Sequence, residues 1–174
     1  MNDTRNVVDQ FKGMAEVDIV AELDKHGTEL EIAIENLERD FNMGTIVRSA
    51  NAFGVRHVHV IGRKQWNKRG AMATDKYLHV HYYQTVESFK HRMQDEEVEI
   101  VAIDNVKGAI TLNKAALPKR CVLVFGAEGP GLSEDMLKVA TQIVAIEQYG
   151  STRSINVGVA AGVAMYAWLQ KHKL

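Results

Sequence analysis

The chain has 174 residues, 46% hydrophobic and 25% charged, with a net charge of -1, two prolines and one cysteine. Its length fits one domain with a full core. The near-neutral charge argues against non-specific nucleic-acid binding by the whole surface, and the lone Cys121 excludes an internal disulfide. Cys121 opens an apolar run, which predicts a buried structural thiol. MNDTRNVVDQ lacks the apolar stretch of a signal peptide, and no run reaches the roughly 18 to 20 apolar residues of a membrane span. A cytoplasmic location is expected.

Residues 5 to 25 predict one or two short helices, with Val17, Val20, Ala21 and Leu23 as a loose apolar stripe. Residues 1 to 30 are expected to be a helical extension packed on a domain over 31 to 174. Glu31 to Glu35 predicts a strand. Asn42 can cap a helix that runs to Phe53, with Gly54 as its stop. His57 to Ile61 predicts a second strand. A loop follows from Arg63, with a short helix near Ala71. Leu78 to Tyr82 predicts a strand, Val86 to Met93 a helix, Glu99 to Asp104 a strand, and Thr111 to Ala116 an irregular turn.

Cys121 to Phe125 is apolar at every position, the mark of a central parallel strand buried on both faces. Ser133 can cap the next helix, with Leu132 and Leu137 at the spacing of a hydrophobic staple. Ile143 to Ile146 predicts the last strand and Ser154 to Gln170 the last helix. Six strands alternating with helices imply an α/β fold with a mostly parallel sheet covered on both faces.

Three blocks carry the candidate chemistry. Gly126-Ala127-Glu128-Gly129-Pro130-Gly131 follows the buried strand and is neither a GxGxxG nor a GK[ST] phosphate loop. With no lysine in it, an adenosine-type ligand that is uncharged or zwitterionic fits better than a phosphate. Glu128 either orients a donor or is simply exposed. Arg48 lies among Ile46, Val47 and Ala50, so it either snorkels past the core or stands at a pocket wall. Ser154 and Asn156 open the last helix, where free N–H groups bind polar ligand atoms or are satisfied by an ordinary cap.

From Arg56 to Lys76 there are six basic residues against one acid, Asp75. A local basic face of this kind suits a polyanion, with Arg63, Lys64, Lys68 and Arg69 as its candidates, although a solvated loop has the same composition. His57 and His59 alternate on one predicted strand, as do His79 and His81. No third ligand, HExxH or cysteine pair accompanies them, so no metal is expected. Tyr77, Tyr82 and Tyr83 nearby can stack on bases or pack at the sheet edge.

The three blocks resemble the SpoU family of RNA ribose methyltransferases, within the SPOUT superfamily. The first match is at Asn42, Gly44, Ile46, Arg48, Ala50, Phe53 and Gly54, the second at Leu123 through Ser133, and the third at Ser154 through Ala160. They occur in the family order, and the resemblance spans residues 31 to 170. It implies a six-stranded Rossmann-like sheet with a C-terminal trefoil knot, a homodimer, and S-adenosyl-L-methionine as cofactor. It also implies methylation of a ribose 2′-hydroxyl of tRNA or rRNA.

The catalytic residues it implies are Arg48, Asn42, Glu128, Ser154 and Asn156. The cofactor contacts it implies are Ile103, Asp104 and Asn105; Gly126, Ala127, Glu128, Gly129 and Gly131; and Ile146, Gln148, Ser154, Ile155 and Asn156. The segment after the last strand departs from the family pattern, with Glu147 and Gln148 where proline and methionine are usual. The sulfonium methyl is already activated, so neither metal nor covalent intermediate is needed. Arg48 is implied as proton acceptor or as a cation for the developing alkoxide. A free guanidinium holds its proton, which makes the first role awkward. A catalytically silent RNA-binding homologue is the alternative.

Overall fold

The apolar run at Cys121–Phe125 forms the strand it predicts and is buried at all five positions. This is seen in a computed structural model that describes residues 3–36, 42–126 and 130–174. The strands are β1 (Leu30–Asn36), β2 (His57–Gly62), β3 (His79–Tyr83), β4 (Glu99–Ile103), β5 (Ile110–Thr111), β6 (Cys121–Phe125) and β7 (Gln142–Ala145). They pair in the order β3-β2-β1-β6-β4-β7-β5, and every pairing is parallel.

The described residues thus hold seven strands where the sequence predicts six. The addition is β5, placed where an irregular turn is expected, and it pairs Ile110 with Val144 and Thr111 with Ala145. Two residues carry no periodic signal, so only the open edge of β7 reveals that strand.

Strand alternation divides the core. Ile32, Ile34, Val58, Val60, Leu123 and Phe125 face one layer, which contains α2 (Met43–Ala52) and α5 (Val157–His172). Ala33, Ile100, Ala102, Val122 and Val124 face the other, which contains α3 (Val86–Asp95) and α4 (Glu134–Val139). Burial pushes the Cys121 thiol up to about 12, in keeping with an inert core residue. Ser133 caps α4 by accepting from the Met136 N–H at 3.1 Å, as its position predicts.

In α5, Ala161, Ala164, Met165 and Trp168 are buried. Val159, Val163 and Tyr166 on the same helix are 57%, 41% and 47% exposed. At the N-terminal side, α1 (Glu16–Lys25) packs Ile19 with Phe11 and Tyr77. None of the described helices is long and apolar enough to cross a membrane.

Candidate active site

Strand order decides where loops meet. In this sheet β6 is inserted between β1 and β4, and β7 between β4 and β5, so the loops leaving β4, β6 and β7 converge at one carboxyl edge. In α/β sheets that edge is where ligands bind. A cleft of ≈ 350 Å³ opens there. It is lined by Ile103, Asp104, Asn105, Gly126, Gly131, Ile146, Gln148, Ser154, Ile155 and Asn156, all of them sequence candidates, together with Pro130, Val157 and Ala160. Those three were missed. Pro130 sits inside the singled-out turn, Val157 directly follows Asn156, and Ala160 lies one helical turn further on, which is the available signal. Ala127, Glu128 and Gly129 lie outside the described residues.

The glycine turn folds back on itself. A Cβ on Gly126 would lie 2.3 Å from the Gly131 carbonyl carbon, a clash with backbone that no side-chain shift relieves. Gly131 has φ +72°, and a Cβ there would meet Asp104 Oδ2 at 2.7 Å. That carboxylate accepts from the Leu132 N–H at 2.9 Å, which holds the β4 loop to the β6 turn. Asn105 Nδ2 donates to the Arg153 carbonyl at 3.2 Å and ties in the third loop. Glu35, 1% exposed, accepts from the Ser133 N–H and hydroxyl and anchors the end of the turn to β1.

The described lining of the cleft contains no lysine or arginine. The buried Oε1 of Gln148 has no hydrogen-bond partner. Glu147 faces away, into a groove with Leu112, Leu117, Val163 and Tyr166.

Two asparagines join the helix starts. Asn156 Oδ1 accepts from the N–H groups of Gly158 at 2.9 Å and Val159 at 3.2 Å, so Asn156 caps α5. This corrects the expected helix start at Ser154, which is exposed and lines the cleft. Asn156 Nδ2 donates to Asn42 Oδ1 at 3.1 Å. Asn42 precedes α2 but makes no side-chain cap bond, a second correction, because its side-chain oxygen is turned toward Asn156. The two helices touch here. A Cβ on Gly158 would lie 3.1 Å from Thr45 Cγ2.

Arg48 stands six residues after Asn42, about 9 Å further along α2 at the helical rise. It is exposed, while Ile46, Val47 and Ala50 around it are buried. Among the described residues it makes no hydrogen bond or ion pair, and its guanidinium is therefore available to a ligand.

The basic stretch divides by function. Arg56 is buried and structural, bonding Asp24 at 2.7 Å and the Tyr77 carbonyl at 2.7 Å. Lys68 pairs with Asp75 at 2.6 Å and Lys76 with Glu16 at 3.2 Å. Arg63, Lys64 and Arg69 are exposed and have no acidic partner among the described residues. Asn36 Nδ2 holds this loop by donating to the carbonyls of Arg63 and Gln65. The turn at Gly70 and Ala71 presses on α2, since a Cβ on Gly44 would lie 2.6 Å from the Ala71 nitrogen. The loop that carries these cations thus packs against the helix that carries Arg48.

The four alternating histidines stack rather than converge. His57 Nδ1 lies 3.0 Å from His81 Nε2, and His59 bridges Tyr83 at 3.0 Å and Glu31 at 2.5 Å. Among the described residues no group of three or more His, Cys, Asp or Glu is arranged to hold a metal. Burial, then the charges of His59 and His57, push His81 down to about 4, and His57 is lowered mainly by burial. Burial opposes ionisation of Glu31, but the His59 hydrogen bond and the neighbouring histidines outweigh it and hold its carboxyl low.

The fold is thus a parallel α/β sheet with three loops around a cleft whose described lining holds no lysine or arginine, and with an exposed arginine on the neighbouring helix. The SpoU rRNA Methylase family matches residues 29–166, and the chain belongs to that family. It is similar to the tRNA (guanosine(18)-2′-O)-methyltransferase of Borreliella burgdorferi, with 26% identity over 145 residues, 82% of this chain. The chain spans only 66% of that relative's length. The fold is similar to that of the A. aeolicus TrmH/SpoU tRNA modifying enzyme, with a TM-score of 0.78 and 24% identity over 90% of this chain and 81% of the other. It is also similar to that of the SpoU methyltransferase AviRb of Streptomyces viridochromogenes, solved in complex with the cofactor AdoMet. There the TM-score is 0.75, with 20% identity over 83% of this chain and 58% of the other.

Proposed function

We propose that this chain transfers a methyl group from S-adenosylmethionine to a ribose 2′-hydroxyl of tRNA or rRNA. The observation that carries the reading is the Asn42–Asn156 contact of 3.1 Å, which joins the start of the Arg48 helix to the mouth of the cleft. Family membership and the relatives' names support it.

The residues present fit the cofactor. The cradle at Gly126 and Gly131 admits close approach, the described lining has no cation to attract a phosphate instead, and the unpartnered Gln148 oxygen can accept from an amino group. Ile103, Asp104, Asn105, Gly126, Gly131, Ile146, Gln148, Ser154, Ile155 and Asn156 would hold it, together with Ala127, Glu128 and Gly129. When bound, it supplies a methyl already activated on a sulfonium, and the products are S-adenosylhomocysteine, the methylated oxygen and a proton. Arg48 acts on the 2′-hydroxyl, its planar fork of donors stabilising the oxygen as the proton leaves. Asn42, Asn156 and Ser154 orient that oxygen, and Glu128 is the acid of the site.

The active species is a cytoplasmic twofold homodimer. Val159, Val163 and Tyr166, spaced four and three residues apart, supply one exposed apolar face of α5 for a second copy. The segment between β7 and α5 is proposed to thread as the trefoil knot, in line with its tie from Asn105. Residues 1 to 30 serve as an extension, fastened to the core through Arg56 and Asp24.

Calorimetry with S-adenosylmethionine and S-adenosylhomocysteine should show micromolar-range binding that NAD does not compete. Total RNA from cells lacking this gene, incubated with labelled cofactor and digested to nucleosides, should yield a 2′-O-methylated nucleoside. Absence of heat with either compound refutes the cofactor, and cofactor binding without any methylated nucleoside favours the silent homologue.

A further inference from the structure

Two aromatic rings that the proposed chemistry does not use carry lysines of the basic stretch. Tyr82 lies on β3, the edge strand, opposite Val60 of β2, and is 40% exposed. Lys64 Nζ sits 5.0 Å from the centre of its ring. Beside it, Lys68 Nζ sits 5.5 Å from the centre of the Trp66 ring. Alternation along β3 turns His81 and Tyr83 toward the α3 face, where Tyr83 meets Phe89 edge-on. Tyr82 therefore points to the opposite face, shared by Val60, Ala71 and the buried residues of α2. A tyrosine serving only the core would be turned in like Tyr77, 3% exposed.

We propose that Tyr82, with Lys64 on its ring and Trp66–Lys68 alongside, is a stacking seat for an unpaired base of RNA next to the helix that carries Arg48. The proposal rests on the RNA reading above. A lysine laid on an aromatic ring is held by a modest cation–π attraction. An RNA phosphate is a stronger partner for that ammonium, so arrival of the strand frees the ring face and a base can take it. Arg63 and Arg69 of the same loop are exposed cations for further phosphates. Bases inside a duplex are already stacked, so the seat selects loops or ends. The cations around the rings favour a nucleic acid over an apolar protein partner.

The test uses the full chain, a fluorescein-labelled RNA hairpin with an unpaired loop, and a blunt RNA duplex with the same number of phosphates, read by anisotropy across a salt series. Wild type should prefer the hairpin. Tyr82→Ala should weaken hairpin binding about tenfold, in the range of one lost base–aromatic stack, with duplex binding and the salt slope unchanged. Tyr82→Phe should bind as wild type. Tyr82→Leu keeps the apolar cover of the sheet without the π-face and should behave as the alanine variant, which guards against a folding defect. Equal weakening toward both RNAs, or wild-type hairpin affinity in the leucine variant, overturns the proposal. Wild-type protein that binds S-adenosylhomocysteine but neither RNA overturns the RNA reading itself.

Discussion

Asn156 makes hydrogen bonds of two kinds, and two substitutions separate them. Its Oδ1 accepts from Gly158 and Val159 and caps α5, while its Nδ2 donates to Asn42. Asn156→Ala removes both. Loss of an N-cap costs about 1 kcal/mol, and for a domain of this size that lowers Tm by about 2 to 4 °C. Asn156→Asp keeps the acceptor and places a negative charge at the positive end of α5, which adds about 0.3 to 1 kcal/mol. The Asn42 amide can turn and donate to the new carboxylate, so stability should match or exceed wild type.

The chemistry should respond in the opposite way. A carboxylate at the mouth of the cleft opposes charge developing on the 2′-oxygen and removes a donor, a loss worth about 100-fold or more in rate. Scanning calorimetry gives Tm, and single-turnover methyl transfer at saturating cofactor gives the rate. An alanine variant with wild-type Tm refutes the cap. An aspartate variant with wild-type single-turnover rate removes Asn156 from the reaction.

Arg48→Ala should lower single-turnover rate by about 100-fold while cofactor affinity stays within about twofold, since the interaction is made mainly in the transition state. Arg48→Lys should rescue poorly, and near wild-type turnover in that variant would show that charge alone suffices. Neutralising Arg63, Lys64 and Arg69 together should raise KM for RNA about tenfold and reduce the salt slope by about 2, at roughly 0.7 per phosphate contact on a single strand. Adding Lys68→Gln should change little more, because Asp75 already holds that ammonium. A triple variant with an unchanged slope places the RNA face elsewhere.

Stability should also depend on pH through the histidine stack. His81 is depressed to about 4 and His57 is lowered, so below pH 6.5 the unfolded chain takes up protons that the folded one refuses. Thermal midpoints should be level above pH 7 and fall between about pH 6.5 and 4. Glu31 and Asp24, held low by His59 and by Arg56 with His79, begin to lose their contribution as pH falls through their ordinary values of 4.5 and 3.8, at the foot of that window, and go on losing it below. His81→Gln should flatten the decline, and an equally steep fall in that variant would exclude the stack as its cause.

The sequence alone determined what depends on local pattern. Five consecutive apolar residues at Cys121–Phe125 demanded a strand covered on both faces, and Ser133 three residues before Met136 demanded a cap; both are present. Three motif blocks in order were enough to indicate the family.

What depends on partners distant in the chain was not legible. Two-residue β5 exists only because β7 offers it an edge. The Asn42 side chain turns from capping its own helix to a residue 114 positions away, and the start of α5 moved from Ser154 to Val157 with Asn156 as its cap. The basic stretch looked uniform in sequence. Folding buried Arg56, paired Lys68 and Lys76 with acids, and left Arg63, Lys64 and Arg69 exposed, with Lys64 laid on the Tyr82 ring. Composition counts charges, but only packing sets which of them are neutralised within the fold and which remain for a ligand.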